Sequence, residues 1–385
     1  MNNFYPVQYK NDGFLEIRHN YLPEQFMDSS EIFKLIEQVV RMGDFTLGSS
    51  VDQFELNFAN KIGAKYAIGV GSGTDALFLT LKALTINQNF IHKPEVITSP
   101  FTFYATIGAI STADYVPVFS DISLDDFNID PNGIEDKITE NTKVILPVHW
   151  AGRICKMVEI NNIAARYNLK VIEDACHAIL ASNEGVMAGN FGFAGCFSFH
   201  PLKNLNVWGD GGIVVTDSRE LSENLRLLRN HGLIDRDTCS IFGYNSRLDT
   251  IQAVIANYLL QNRIDYITNA RIKNSKRFDE GLSGLKYLRI PKRDPNLKEV
   301  FHLYCFLAED RDKLARYLIK NKVDAKIHYP KPMHLQPAAA KYGYAKGDFP
   351  MAEYASDNII SLPVHEFVDE GQINQIVDLI NKFYS

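Results

Sequence analysis

The chain has 385 residues, enough for one large α/β unit with a smaller companion, and its hydrophobic (46%) and charged (22%) fractions exclude disorder over most of that length. A formal net charge of −6 supplies no global basic field, so nucleic acid and anionic membranes are excluded as partners and any anionic ligand has to be held locally. Cys155, Cys176, Cys196, Cys239 and Cys305 show neither a CxxC pair nor metal-ligand spacing, which argues against a bound metal and for free thiols in a reducing compartment.

The opening stretch, Met1 to His19, lacks a basic region followed by an apolar core, and no apolar run reaches membrane-spanning length. A cytoplasmic location is therefore expected. Ile32, Leu35, Ile36, Val39 and Val40 mark a first helix that should pack on the flank of the main unit. Short β-rich runs then alternate with helical patterns from about residue 50 to residue 240, the signature of an α/β fold with a mostly parallel sheet covered by helices. Seven strands are predicted: Tyr66 to Val70, Glu95 to Ser99, Val116 to Phe119, Lys143 to Val148, Lys170 to Glu173, Gly195 to Phe199 and Gly212 to Thr216. Between them, Leu77, Leu81 and Leu84 recur at helical spacing within Thr74 to Leu84, and Val158 to Tyr167 is a second amphipathic stretch. After Asp249 the residues Ile251, Val254, Ile255, Tyr258 and Leu259 share one face of a long helix leading out of the large domain, and from about residue 265 helices mix with strands such as His302 to Leu307. The expected organisation is a large domain over residues 1–250 and a linking helix with a small α+β domain over residues 251–385.

Four segments carry chemistry. Gly69 to Asp75, GVGSGTD, lies between a strand and a helix, where glycines admit a phosphate to the backbone and the helix N-terminus offers unpaired N–H groups. A dinucleotide-binding turn competes with this reading, but it wants a carboxylate about 20 residues on, and Asn87 and Asn89 stand there. Thr98 to Phe103, TSPFTF, ends a strand at the sheet's C-terminal edge, and Phe103 is the aromatic that could stack on a planar cofactor. In Val171 to His177, VIEDACH, apolar residues lead into Asp174, and His177 could hydrogen-bond a ring oxygen or cap a turn. Finally, Ser198 to Gly212, SFHPLKNLNVWGDGG, sets Lys203 between a strand and a glycine turn, with Ser198 as a possible phosphate ligand. A lysine so placed and an aspartate ending an earlier strand are the pair pyridoxal phosphate chemistry requires: the lysine as Schiff-base nucleophile, the aspartate holding a proton on the pyridine nitrogen.

Taken together, GSGTDAL, SPFTFYAT, PVHWAG, IEDACHAI, SFHPLKN with GDGG, GYNSRLDTIQA and IHYPKPMHLQP resemble, in order and over nearly the whole chain, the DegT/DnrJ/EryC1/StrS sugar aminotransferases. The resemblance implies the aspartate aminotransferase fold, pyridoxal 5'-phosphate as cofactor and a homodimer with active sites at the subunit interface. It implies Lys203 as the Schiff-base lysine, Asp174 as partner of the pyridine nitrogen, Phe103 as the stacking aromatic and His177 near the ring hydroxyl. Gly73, Thr74, Asp75 and Ser198 would hold the phosphate, and Asn245 would reach the phosphate of the other subunit's cofactor. Some relatives replace the lysine by histidine and become dehydratases; here Lys203 stands at the motif position and His200 lies before it, so transamination is the implied chemistry. An amino acid, most often L-glutamate in this family, would donate to a keto sugar. The combination of NSRLD, GDGG and HYPKPMHLQP leans towards carbon 3 of a nucleotide-linked sugar over carbon 4, with Arg247, His328, Tyr329 and His334 as substrate-side candidates.

Overall fold

The computed structural model describes residues 14–385 apart from 20, 87 and 89; Asn87, Asn89 and the stretch before residue 14 lie outside the described residues. All seven predicted strands are present, as β1 (Tyr66–Val70), β2 (Glu95–Thr98), β3 (Val116–Phe119), β4 (Thr142–Leu146), β5 (Lys170–Asp174), β6 (Ala194–Ser198) and β7 (Gly212–Thr216), in one sheet of order β1-β7-β6-β5-β4-β2-β3. Neighbours from β3 across to β6 pair in parallel, while β7 runs antiparallel to both β1 and β6. The largest boundary shift is at β4, which ends at Leu146 where Val148 was expected; Val148 instead makes an isolated bridge to Asp174.

Helices cover both faces of the sheet, so its strands are buried on both sides and read as near-continuous apolar runs. Side chains alternate between the layers. Ile68, Val70, Val144, Leu146 and Ile172 pack with Leu77 and Leu81 of α3 (Gly73–Ala83), Ile110 of α4 (Tyr104–Thr112) and Leu225 of α6 (Arg219–Leu228). Ala67, Ile145, Val171, Phe197 and Ile213 face the other way, towards Phe54 and Phe58 of α2 (Ser49–Ile62), Ile160 of α5 (Met157–Arg166) and Ile255 and Leu259 of α7 (Thr250–Asn262). In α1 (Ser30–Met42) the buried residues are Ile32 and Val39, whereas Leu35 and Val40 of the predicted face are exposed, together with Phe33 and Met42.

Beyond α7 the long α8 (Ile264–Leu282) leads into a three-stranded antiparallel sheet of order β8 (Leu288–Arg289), β9 (Tyr304–Ala308), β10 (Ile359–Leu362). Its core joins Phe278 of α8, Leu314 and Leu318 of α9 (Arg311–Lys320) and Ile373, Ile376 and Ile380 of α10 (Glu370–Tyr384). Ile17 enters the same core and bridges Val323, so the segment around Ile17 is stitched to the small domain. Among the described residues, no helix is long and apolar enough to cross a membrane.

Candidate active site

The carboxyl ends of β1, β2, β5 and β6 meet at one edge of the large sheet, where open α/β sheets bind ligands. A cavity of about 580 Å³ opens there, and Lys203 and Asp174 both line it. Burial lowers the Lys203 pKa from its ordinary value, with Cys176 and Asp174 opposing the shift. The amine is thereby made available as a nucleophile at lower pH than a solvated lysine would be. Asp174 ends β5 and is 5% exposed. Its Oδ2 accepts a hydrogen bond from Thr106 Oγ1 at 2.8 Å and its Oδ1 one from the Cys176 amide at 3.2 Å, while Thr102 Oγ1 lies 2.8 Å from Thr106 Oγ1. These donors fix the orientation of the carboxyl at the cavity wall, where it could pair with a protonated ring nitrogen.

Across the cavity lies the start of α3. Ser72 is its N-cap, accepting from the Asp75 amide at 3.0 Å. That bond uses one of the free amides of the helix end and leaves those of Gly73 and Thr74 as donors facing the cavity, beside a positive dipole end. Ser198, the last residue of β6, stands opposite: a Cβ on Gly73 would come within 2.5 Å of Ser198 Cβ, so glycine is required for the two elements to approach this closely. Asp75 does not line this cavity, because its amide is capped and its carboxylate Oδ2 accepts from Ser246 Oγ at 2.8 Å.

The side walls are aromatic and imidazole. Phe103 is the N-cap residue of α4, 47% exposed, with its ring 6.0 Å from that of Tyr329. Burial foremost, then the nearby Lys203 and His328, holds His177 well below the usual histidine range, so it is neutral. Its Nδ1 accepts from the Ala151 amide at 3.3 Å, which places the ring proton on Nε2. His302 packs on His177 with centroids 4.3 Å apart, and its buried Nδ1 has no hydrogen-bond partner among the described residues. His328, with Nδ1 3.0 Å from Ser361 Oγ, and Tyr329 complete this wall.

Lys203, Asp174, Gly73, Thr74, Phe103, His177, Ser198, His328 and Tyr329 are thus brought together. Asn245 and Arg247 are not: they line a separate hollow of about 250 Å³ with Phe45, Thr46 and Gly71, and an Arg247 Nη1 donates to Asn230 Oδ1. His334, expected on the substrate side, is packed against Phe349 with Nε2 3.0 Å from Glu353 Oε1, and is 2% exposed. It takes no part in the cavity of its own chain. The sequence reading overlooked Thr102, Thr106, Tyr104, His302 and Lys326, all of which line the cavity. The two threonines left a signal, their one-turn spacing across the start of α4; His302 left none.

The cavity volume, the lysine–carboxylate pair, the amide cradle and the neutral histidine fit pyridoxal phosphate. Comparison with known proteins bears on the same point. The model of the DegT/DnrJ/EryC1/StrS aminotransferase family matches residues 27–381. The chain is 39% identical to the "Pleiotropic regulatory protein" of Geobacillus stearothermophilus over 94% of this chain and 97% of that one. It is 36% identical to the dTDP-3-amino-3,6-dideoxy-alpha-D-galactopyranose transaminase of Aneurinibacillus thermoaerophilus, over 96% of this chain and 99% of the relative. Among solved structures, S. venezuelae DesV in complex with a ketimine intermediate superposes with a TM-score of 0.90 at 33% identity, covering 94% of this chain and 97% of that one. The chain therefore belongs to the DegT/DnrJ/EryC1/StrS aminotransferase family and is a pyridoxal-phosphate-dependent aminotransferase.

Proposed function

We propose that this enzyme moves an amino group from an amino acid, L-glutamate, to carbon 3 of a nucleotide-linked keto sugar. The observation that carries the reading is the convergence of Lys203, Asp174 and the α3 N-terminus on one cavity. The carbon-3 assignment is supported by the NSRLD, GDGG and HYPKPMHLQP segments and by the likeness to a relative named for a dTDP-3-amino sugar.

When bound, pyridoxal phosphate carries the amino group between the two substrates and takes up the electron pair released at the substrate carbon. The protein's part follows from the residues in place. The amides of Gly73 and Thr74, with Ser198 Oγ, hold the phosphate. Phe103 covers a ring face, Asp174 holds the proton on the ring nitrogen, and His177 donates from Nε2 to the ring hydroxyl. Lys203 would hold the cofactor through its amine, and because that amine is desolvated and easily neutral it could also serve as the base for the substrate's α-proton. His328 and Tyr329 line the space left for the sugar.

Asn245 and Arg247, which do not line their own chain's cavity, are assigned to the active site of a second copy in a homodimer. The exposed apolar residues of α1 and Phe242, 96% exposed, support a paired surface there. The free cysteines support a reducing, cytoplasmic setting.

The visible spectrum of cofactor-loaded protein, before and after L-glutamate alone, tests the reading. Loss of the lysine-bound band to a pyridoxamine band is expected, and borohydride should trap the cofactor on Lys203. A spectrum that glutamate leaves untouched would reject glutamate as donor, and no lysine-bound band would reject the assignment of Lys203.

A further inference from the structure

Behind the cofactor-facing wall lies a polar pair that none of the roles above uses. Glu173 and His149 are both fully buried, with His149 Nε2 2.7 Å from Glu173 Oε2. His149 Nδ1 accepts from the Cys155 amide at 3.2 Å, so the ring carries its proton on Nε2 and donates it to Glu173. The carboxylate also accepts from the Gly189 amide at 2.7 Å on Oε2 and from the Phe191 and Gly192 amides at 2.8 and 2.7 Å on Oε1. Four donors fill the roughly four lone-pair positions of a carboxylate, so Glu173 has nothing left for a ligand. Its work is to hold.

What it holds is the turn whose backbone bonds to both residues proposed to make polar contacts to the cofactor, Asp174 and His177. Beyond the end of β4 the segment 147–152 leaves the regular ladder and stays tied to β5 by a single parallel bridge, Val148 to Asp174. The His149 amide donates to the Asp174 carbonyl at 3.0 Å, and the Asp174 amide donates to the Pro147 carbonyl at 2.9 Å. Two residues on, the Ala151 amide sets the tautomer of His177. Strand alternation points Glu173 away from the cavity that Asp174 lines. The His149 ring is therefore the peg that ties this turn to the back of β5.

We infer that His149 and Glu173 form a positioning pair for the cofactor's polar contacts: anchored behind the sheet, they fix at once the Asp174 carboxylate at the ring nitrogen and the His177 Nε2–H at the ring hydroxyl. The inference rests on the cofactor reading of the site. Neither residue touches the cofactor; each acts through the turn.

The test uses protein loaded with pyridoxal phosphate labelled with ¹⁵N in the ring, in wild type, His149→Ala, His149→Gln and Glu173→Gln. The glutamine at 149 keeps a donor for Glu173, whereas the amide at 173 turns an NH₂ group against N–H donors. Two readouts are followed: the ring ¹⁵N resonance, which reports protonation at Asp174, and the pH titration of the visible absorbance, which reports the hydroxyl and Lys203 side. In His149→Ala and Glu173→Gln both should move, the resonance towards the unprotonated position, with cofactor affinity down about tenfold, the lower end of the losses seen when a residue behind a metal ligand is changed. His149→Gln should lie between them and wild type. Should His149→Ala fail to fold, the near-isosteric Glu173→Gln decides alone. Folded variants that lose thermal stability but keep both wild-type signals would overturn the inference, leaving the pair a packing element. A wild-type protein whose ring nitrogen is unprotonated would instead overturn the cofactor reading of Asp174, and this inference with it.

Discussion

At the scale of single residues, Asp174 is defined by what donates to it. Asp174→Asn keeps the shape but removes the charge that retains the ring proton, so turnover should fall by more than about tenfold; a smaller loss in single-turnover assays would mean the ring proton is held by another group. Thr106→Val deletes one of the two donors to Asp174 without changing the side chain's size. Hydrogen bonds to charged groups are worth about 1.5–3 kcal/mol, so the half-reaction with L-glutamate should slow by about tenfold, and an unchanged rate would place Thr106 outside the machinery. Lys203→Ala should abolish turnover with the far-ultraviolet circular dichroism unaltered, and retained activity would reject the lysine's role. Sequence marks Asp174 and Lys203 as candidates through the motifs around them, an apolar strand running into VIEDACH and a strand and glycine turn flanking SFHPLKN. It does not show Thr106, since a threonine near the start of a helix is ordinary and its partner lies 68 positions away.

At the scale of elements, the phosphate cradle depends on how close α3 comes to β6. Gly73→Ala would ordinarily favour a helix. Here the new methyl meets Ser198 Cβ at 2.5 Å, and overpacking of this kind costs about 1–3 kcal/mol. The expected result is a loss of cofactor affinity of about tenfold or more together with a lowered melting temperature of the apo-protein; unchanged affinity would show that the cradle tolerates a wider gap. The glycine motif was legible because strand, glycine turn and helix follow one another locally. The division of labour among its amides was not: which one is consumed depends on Ser72 folding back as the cap and on Ser246, far along the chain, taking the Asp75 carboxylate.

At the scale of the whole molecule, a small chamber of about 70 Å³ adjoins the active-site cavity and is lined by His19, His302, His328 and His365. Burial foremost pushes His19 down to about 4 and His328 and His365 to about 3. The unfolded chain takes up protons near pH 6.5 that these folded sites refuse, so their contribution to stability is full above pH 6.5 and is lost as pH falls from there towards 3. Each group adds a slope of about 1.4 kcal/mol per pH unit within that window. Denaturant melts at fixed cofactor saturation should show the decline, and His365→Gln should flatten it; an equal slope in the variant would remove His365 from the account. The proposed homodimer gives a second molecular-scale expectation. Asn245→Ala should weaken cofactor binding at concentrations where the protein is paired but not where it is dissociated, as read by fluorescence titration beside sedimentation. Equal affinity for wild type and variant throughout would withdraw Asn245 from the second subunit's site.

The sequence by itself determined the α/β architecture and the seven strands of the large sheet, because each is written in local periodicity, and it marked Lys203 and Asp174 as candidates through the motifs that flank them. It also carried the family, through motifs in their order. Tertiary structure alone decided which side chains converge. It set Thr106 on Asp174, laid His302 on His177, and buried His334 under Phe349 although its motif had suggested a substrate contact. It left Leu35 and Val40 in solvent on a helix whose pattern predicted burial. The physical reason is the same in each case: periodicity says that a residue has an inner face to fill, but what lies against that face is fixed by elements distant in the chain, and a hydrogen bond between them leaves no mark on the spacing of either.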